Sequence, residues 1–98
     1  MFYVYILLLS NGNLYKGYSG NLNRRVKEHE DGQVESTRSF RPVKLILFES
    51  YTTESDARRR EQYLKTSEGR IALRRQLADT LRNHGLYEKF KKEDPVKI

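Results

Sequence analysis

The chain has no cysteine. That excludes disulfides, thiolate catalysis and every cysteine-built zinc site, and it suits a reducing compartment. Two histidines, His29 and His84, are too few for a three-histidine zinc centre. Long apolar runs are lacking too. The longest, Phe2 to Leu9, is far shorter than the about 20 residues that cross a bilayer. It also lacks the basic flank and small-residue cleavage site of a signal peptide. These absences predict a soluble, cytoplasmic protein. There is no internal repeat and no low-complexity linker. A length of 98 residues holds one modest core and excludes a full barrel.

Charge is what the chain has in plenty. Nineteen Lys and Arg against thirteen Asp and Glu leave a net +6. Such a surplus favours a polyanionic partner, nucleic acid foremost.

Phe2 to Leu9 is aromatic and β-branched at its start and ends at Ser10-Asn11-Gly12, which predicts a strand entering a tight hairpin. Leu14 to Ser19 is the returning strand. Asn21 caps a helix from Leu22 to about Glu30, stopped by Gly32. Residues 33–41 are polar and predict a loop. Pro42 opens a third strand, Val43 to Tyr51. Thr53, with Asp56 three residues on, caps a second helix to about Lys65. Gly69 punctuates, and a third helix carries Leu73, Leu77 and Leu81 at i, i+4, i+8. The expected fold is α+β, a small three-stranded, mainly antiparallel sheet flanked by helices in the order β-β-α-β-α-α. Residues 1–83 form the domain, and 84–98 a charged, flexible tail.

Helical angles sort the candidate side chains. At about 100° per residue, Arg25 and His29 flank the stripe of Leu22 and Val26, while Arg24 faces water. An arginine held beside the core either grips a phosphate in bidentate fashion or lays its stem over the sheet with its head wet. On the second helix Glu61 falls inside the stripe of Ala57 and Leu64. A carboxylate there calls for a cation, either a Mg²⁺ ion or an ion pair with Arg25.

Seven tyrosines are many for this length. Tyr3, Tyr18 and Tyr51 suit half-buried strand faces. Whether Tyr5 and Tyr15 share a face depends on register. A two-residue Asn11-Gly12 loop puts Tyr15 opposite Leu8, on the other face from Tyr5. A three-residue loop with Gly12 left-handed in a bulge puts Tyr5 opposite Gly17 and Tyr15 opposite Leu7. Both loops are legitimate for these residues.

The ordered set of motifs resembles a GIY-YIG nuclease domain, closest to the small stand-alone bacterial members. Tyr3-Val4-Tyr5 matches the first half-motif and Tyr15-Lys16-Gly17 the second. Arg25 follows Tyr15 by ten residues, and His29 follows Arg25 by four. The segment Ala57 to Lys65 resembles the helix that bears the family's metal-binding glutamate. Similarity runs from about residue 2 to 70. Tyr3 replaces the first motif's glycine, and Lys16 the second's isoleucine.

The resemblance selects the three-residue hairpin loop. It implies a metal-dependent endonuclease that hydrolyses DNA phosphodiesters by shape rather than sequence, with branched or damaged DNA as partner and DNA repair as setting. Glu61 would hold Mg²⁺, with Mn²⁺ as substitute. Arg25 would neutralise the phosphate. Tyr5 would be the base, with Tyr15 beside it and His29 orienting or relaying. Gly17 is structural, either admitting a close backbone approach or accommodating Tyr5. Lys16, Arg38, Arg41 and Arg58, with Arg59 and Arg60, are candidate contacts to the nucleic-acid backbone. The alternative is a non-catalytic nucleic-acid-binding module of the same fold. A protein-interaction domain is a third reading, and it predicts no salt-dependent DNA affinity.

Overall fold

A computed structural model of the chain describes residues 1–87. The chain divides into two units, Met1–Gln62 and Tyr63–Ile98.

The first unit is built on an antiparallel sheet of β1 (Phe2–Leu8), β2 (Leu14–Ser19) and β3 (Lys44–Tyr51), in the order β2-β1-β3. The central strand is the most apolar one, as burial on both faces demands. Val4, Tyr5, Ile6 and Leu7 are all buried. The hairpin takes the longer of its two loops. The Leu9 N–H donates to the Asn13 carbonyl at 2.9 Å, and Gly12 has φ 86°. Only glycine adopts that left-handed conformation without strain. Tyr5 therefore pairs with Gly17 and Leu7 with Tyr15. Between β1 and β3 the register shifts after Ile6, so that Ile6 opposes Leu47 and Leu7 opposes Leu45.

Helix α1 (Leu22–Glu30) starts at Asn21, whose side chain accepts from the Arg24 N–H at 3.1 Å. Gly32, φ 78°, follows its end. The predicted loop 33–41 instead contains a short helix, α2 (Glu35–Arg38). No side chain caps it, and its four residues are too few for a helical period to show in the sequence. The Thr37 and Arg38 N–H groups donate to the Val34 carbonyl at its start. β3 follows, and α3 (Glu54–Leu64) begins where the Asp56 N–H meets Thr53 Oγ1 at 3.3 Å.

The two sheet faces are covered differently. On one, Tyr5, Leu7 and Leu9 form a cluster with Tyr15, Leu22, Val43 and Leu45. On the other, side chains of α3 reach both outer strands: Arg58 lies 5.4 Å over the Tyr18 ring of β2, and Arg60 holds Glu49 of β3. Ala57 between them is fully buried.

The second unit contains α4 (Ser67–Gln76) and α5 (Ala78–Asn83). Leu64, Leu73, Leu77 and Leu81 are its buried side chains, the last three being the predicted stripe. The single expected helix is interrupted at Leu77, and nothing in the sequence there marks a break. Gly69 does not punctuate. It lies in the first turn of α4, donating its N–H to the Thr66 cap at 3.0 Å. A Cβ there would overlap the Tyr63 carbonyl, so glycine serves a close backbone approach. α5 ends at Asn83. From residue 88 the expected tail lies outside the described residues.

Candidate functional site

Hairpin register, the cap of α1 and the short α2 bring one polar cluster together inside the first unit. Tyr5 on β1 and Tyr15 on β2 face the same way, with ring centroids 6.3 Å apart. His29, on the last turn of α1, stands edge-on to both, at 5.6 and 5.0 Å. Its Nε2 is hydrogen-bonded to Tyr5 Oη at 2.8 Å and its Nδ1 to Thr37 Oγ1 at 2.7 Å. Tyr5 is 1% exposed, and His29 and Thr37 are fully buried. Each hydroxyl can donate or accept, so either neutral tautomer of the ring is satisfied.

The electrostatics keep these groups uncharged. Burial pushes the Tyr5 phenol up to about 12, and Tyr15 and Glu61 add to the rise against the opposing Arg25. Burial holds the His29 imidazole below its ordinary value, and the Arg25 charge lowers it further, against Glu28. At neutral pH the phenol is protonated and the imidazole neutral.

Gly17 belongs to this cluster through packing. A Cβ on it would overlap Cζ and Oη of Tyr5. The ring of Tyr5 therefore lies across the glycine opposite it, and the close approach is to a side chain within the sheet.

Arg25 is half-buried beside the cluster and pairs with Glu28 at 3.1 Å. Arg24 points outward, its side chain 68% exposed. Glu61 is half-buried on α3. Arg38 ends α2 and Arg41 follows it; both are exposed, with Arg41 Nε donating to the Arg38 carbonyl at 3.1 Å. Lys16 and Arg58 are not brought to the cluster. Lys16 opposes Ile6, which places it on the other sheet face. Arg58, over Tyr18, pairs with Glu54 at 3.3 Å. Arg59 pairs with Asp56 at 2.9 Å. Arg60 is committed to Glu49, with bonds of 3.0 and 3.1 Å.

Thr37 is the member that sequence reasoning missed. It stands in a polar stretch with no periodicity. Its one signal is indirect: a buried histidine needs a partner for its second ring nitrogen.

Residues 1–75 match the GIY-YIG catalytic domain family. The chain belongs to that family. It is also similar to proteins named UPF0213 from staphylococci. One, from Staphylococcus epidermidis (strain ATCC 12228), is 43% identical over 65 residues, covering 65% of this chain and 79% of the relative. Another, from Staphylococcus aureus (strain Mu3), is 45% identical over the same length and coverage. The solution NMR structure of the UPF0213 protein BH0048 from Bacillus halodurans is 31% identical, with TM-score 0.48. The match covers 74% of this chain and 82% of that one.

Two expectations drawn from the resemblance are corrected at this point. A site for Mg²⁺ or Mn²⁺ needs hard oxygen donors that converge. Among the described residues no group of three or more His, Asp or Glu side chains could hold a metal ion. Glu61 belongs to no such group, so the described residues build no such cluster for the ion. With the metal site goes the metal-dependent endonuclease, and with it the hydrolase and repair role. The names of the staphylococcal relatives state no such activity either. What the family relationship and the basic charge are consistent with is general association with nucleic acid. Among the described residues no helix is long and apolar enough to cross a membrane.

Proposed function

We propose that the protein is a non-catalytic nucleic-acid-binding module that keeps the GIY-YIG fold. Its working part is residues 1–83, its partner is DNA held by the backbone, and its setting is the cytoplasm. One observation carries the reading. The groups that would handle protons, Tyr5 and His29, are sealed from solvent and spent on each other and on Thr37. The cations around them are accessible.

In this reading Tyr5, Tyr15, His29 and Gly17 form a neutral scaffold that positions Arg25, and Arg25 takes a phosphate. Arg38 and Arg41 extend the contact along α2. Lys16 and Arg58 engage the backbone from the other face of the sheet. Contacts of this kind supply affinity and register without sequence readout. The absence of cysteine suits the reducing compartment assigned here.

The test is the affinity for duplex DNA as a function of salt. Binding should weaken steeply, with a log–log slope near −0.9 per phosphate neutralised. Arg25→Gln should lower affinity evenly across sequences and reduce the slope by about 1. Salt-insensitive binding, or none, would refute the reading.

A further inference from the structure

Beside the cluster, on the same sheet face, lies a pocket of about 330 Å³ lined by Tyr3, Gly20, Asn21, Leu22, Asn23 and Phe48. That is at the small end of the about 300–1,000 Å³ usual for ligand sites. Phe48 pairs with Tyr5 across the sheet, so pocket and cluster adjoin. The Tyr3 and Phe48 rings meet edge to face, with centroids 6.3 Å apart and planes at 65°. Phe48 is nonetheless 53% exposed. A phenyl ring left half in water on a strand has a free face to offer. Asn21 and Asn23 also line it; the Asn21 side-chain oxygen is engaged by the Arg24 N–H, and the two amides offer further donors and acceptors.

The helix whose start lines this pocket carries unbalanced charge in its first two turns. Arg24 and Arg25, which follow Asn23 directly, share one carboxylate, Glu28, at 4.0 and 3.1 Å. Two guanidinium groups against one anion leave positive charge on the helix that begins at the pocket. A flat aromatic ring with a polar rim, joined to an anion, matches that combination. A nucleotide has this shape. Within paired DNA the base faces are covered by their neighbours, so only an unpaired base can present one.

We propose that the Tyr3–Phe48 pocket is a stacking subsite for one unpaired base of DNA, with the adjoining phosphate on Arg24 and Arg25. The proposal rests on the nucleic-acid-binding reading and adds a substrate class to it, DNA with a single-stranded stretch. Stacking on an aromatic side chain tolerates any base, so the subsite reads strand state and not sequence.

The experiment measures anisotropy of two labelled DNAs, a blunt two-stranded duplex without a loop and the same duplex with a short unpaired overhang. Phe48→Ala is the probe, and because Phe48 is half exposed the variant should fold, which thermal unfolding checks. It should weaken overhang binding about tenfold and change blunt-duplex binding less than about twofold. Phe48→Trp should restore the overhang preference. Unchanged overhang binding by Phe48→Ala, with salt-sensitive binding intact, would overturn the subsite and leave the module standing. Equal loss on both DNAs, or conversion of a dimer to a monomer by Phe48→Ala without a selective DNA effect, would also overturn it. Failure of the unaltered protein to bind either DNA would remove the underlying reading and the subsite together.

Discussion

The two faces of the central strand bury polar groups by opposite means. On the α1 face Tyr5, His29 and Thr37 are sealed, neutral and joined by short hydrogen bonds. On the α3 face the polar groups are charged and stay near the rim. Glu49 accepts two bonds from Arg60 and one from Tyr51 Oη at 2.8 Å, with the Glu49 and Arg60 side chains 21% and 28% exposed. The difference follows from desolvation. A dry site keeps a hydroxyl or a neutral ring at little cost, but an ion only with excellent pairing. It also bears on function, since the dry cluster is where a catalyst's proton-handling groups would have to be.

The sharpest break in the comparison is Gly17→Ala. A single methyl there would collide with the Tyr5 ring that anchors the α1 face. Overpacking of this kind should cost about 3 kcal/mol, measured as a shift in the urea unfolding midpoint.

An acid titration comes next. Because the folded imidazole of His29 sits below 6.5, the unfolded chain takes up its proton first as pH falls. His29's stabilising contribution is complete above about pH 6.5 and is lost as pH drops toward the folded value. Unfolding free energy should therefore decline as pH falls below about 6.5, and His29→Gln should flatten that decline.

Smallest is Glu49→Gln. It removes the charge opposite Arg60 on the partly exposed α3 face, and should cost about 1 kcal/mol with a visible dependence on salt. A loss as large as that of Gly17→Ala would erase the distinction between the faces.

Much of this was legible in the sequence where a local rule governed it. Asn21 and Thr53 have the chemistry of caps, and both helices begin where those residues stand. The sequence pattern alone admitted two hairpin registers. The choice between them came from the ordered motifs, and Gly12 bears the positive φ that the longer loop requires. What escaped depends on contacts distant in sequence. Thr37 matters only because β1 and α1 bring Tyr5 and His29 to it, and residues 33–41 show no period of their own. Gly69 looked like punctuation because local rules cannot distinguish a break from a close approach. Glu61 shows the limit most clearly. Its place in an apolar stripe was readable, but whether other donors converge on it is a property of the folded site, and among the described residues no group of three or more does.

The most direct measurement holds labelled plasmid with the full chain and Mg²⁺ while recording binding and strand integrity together. The account predicts salt-sensitive binding with the plasmid left intact over hours. Mg²⁺-dependent nicking that disappears in Glu61→Ala would contradict it.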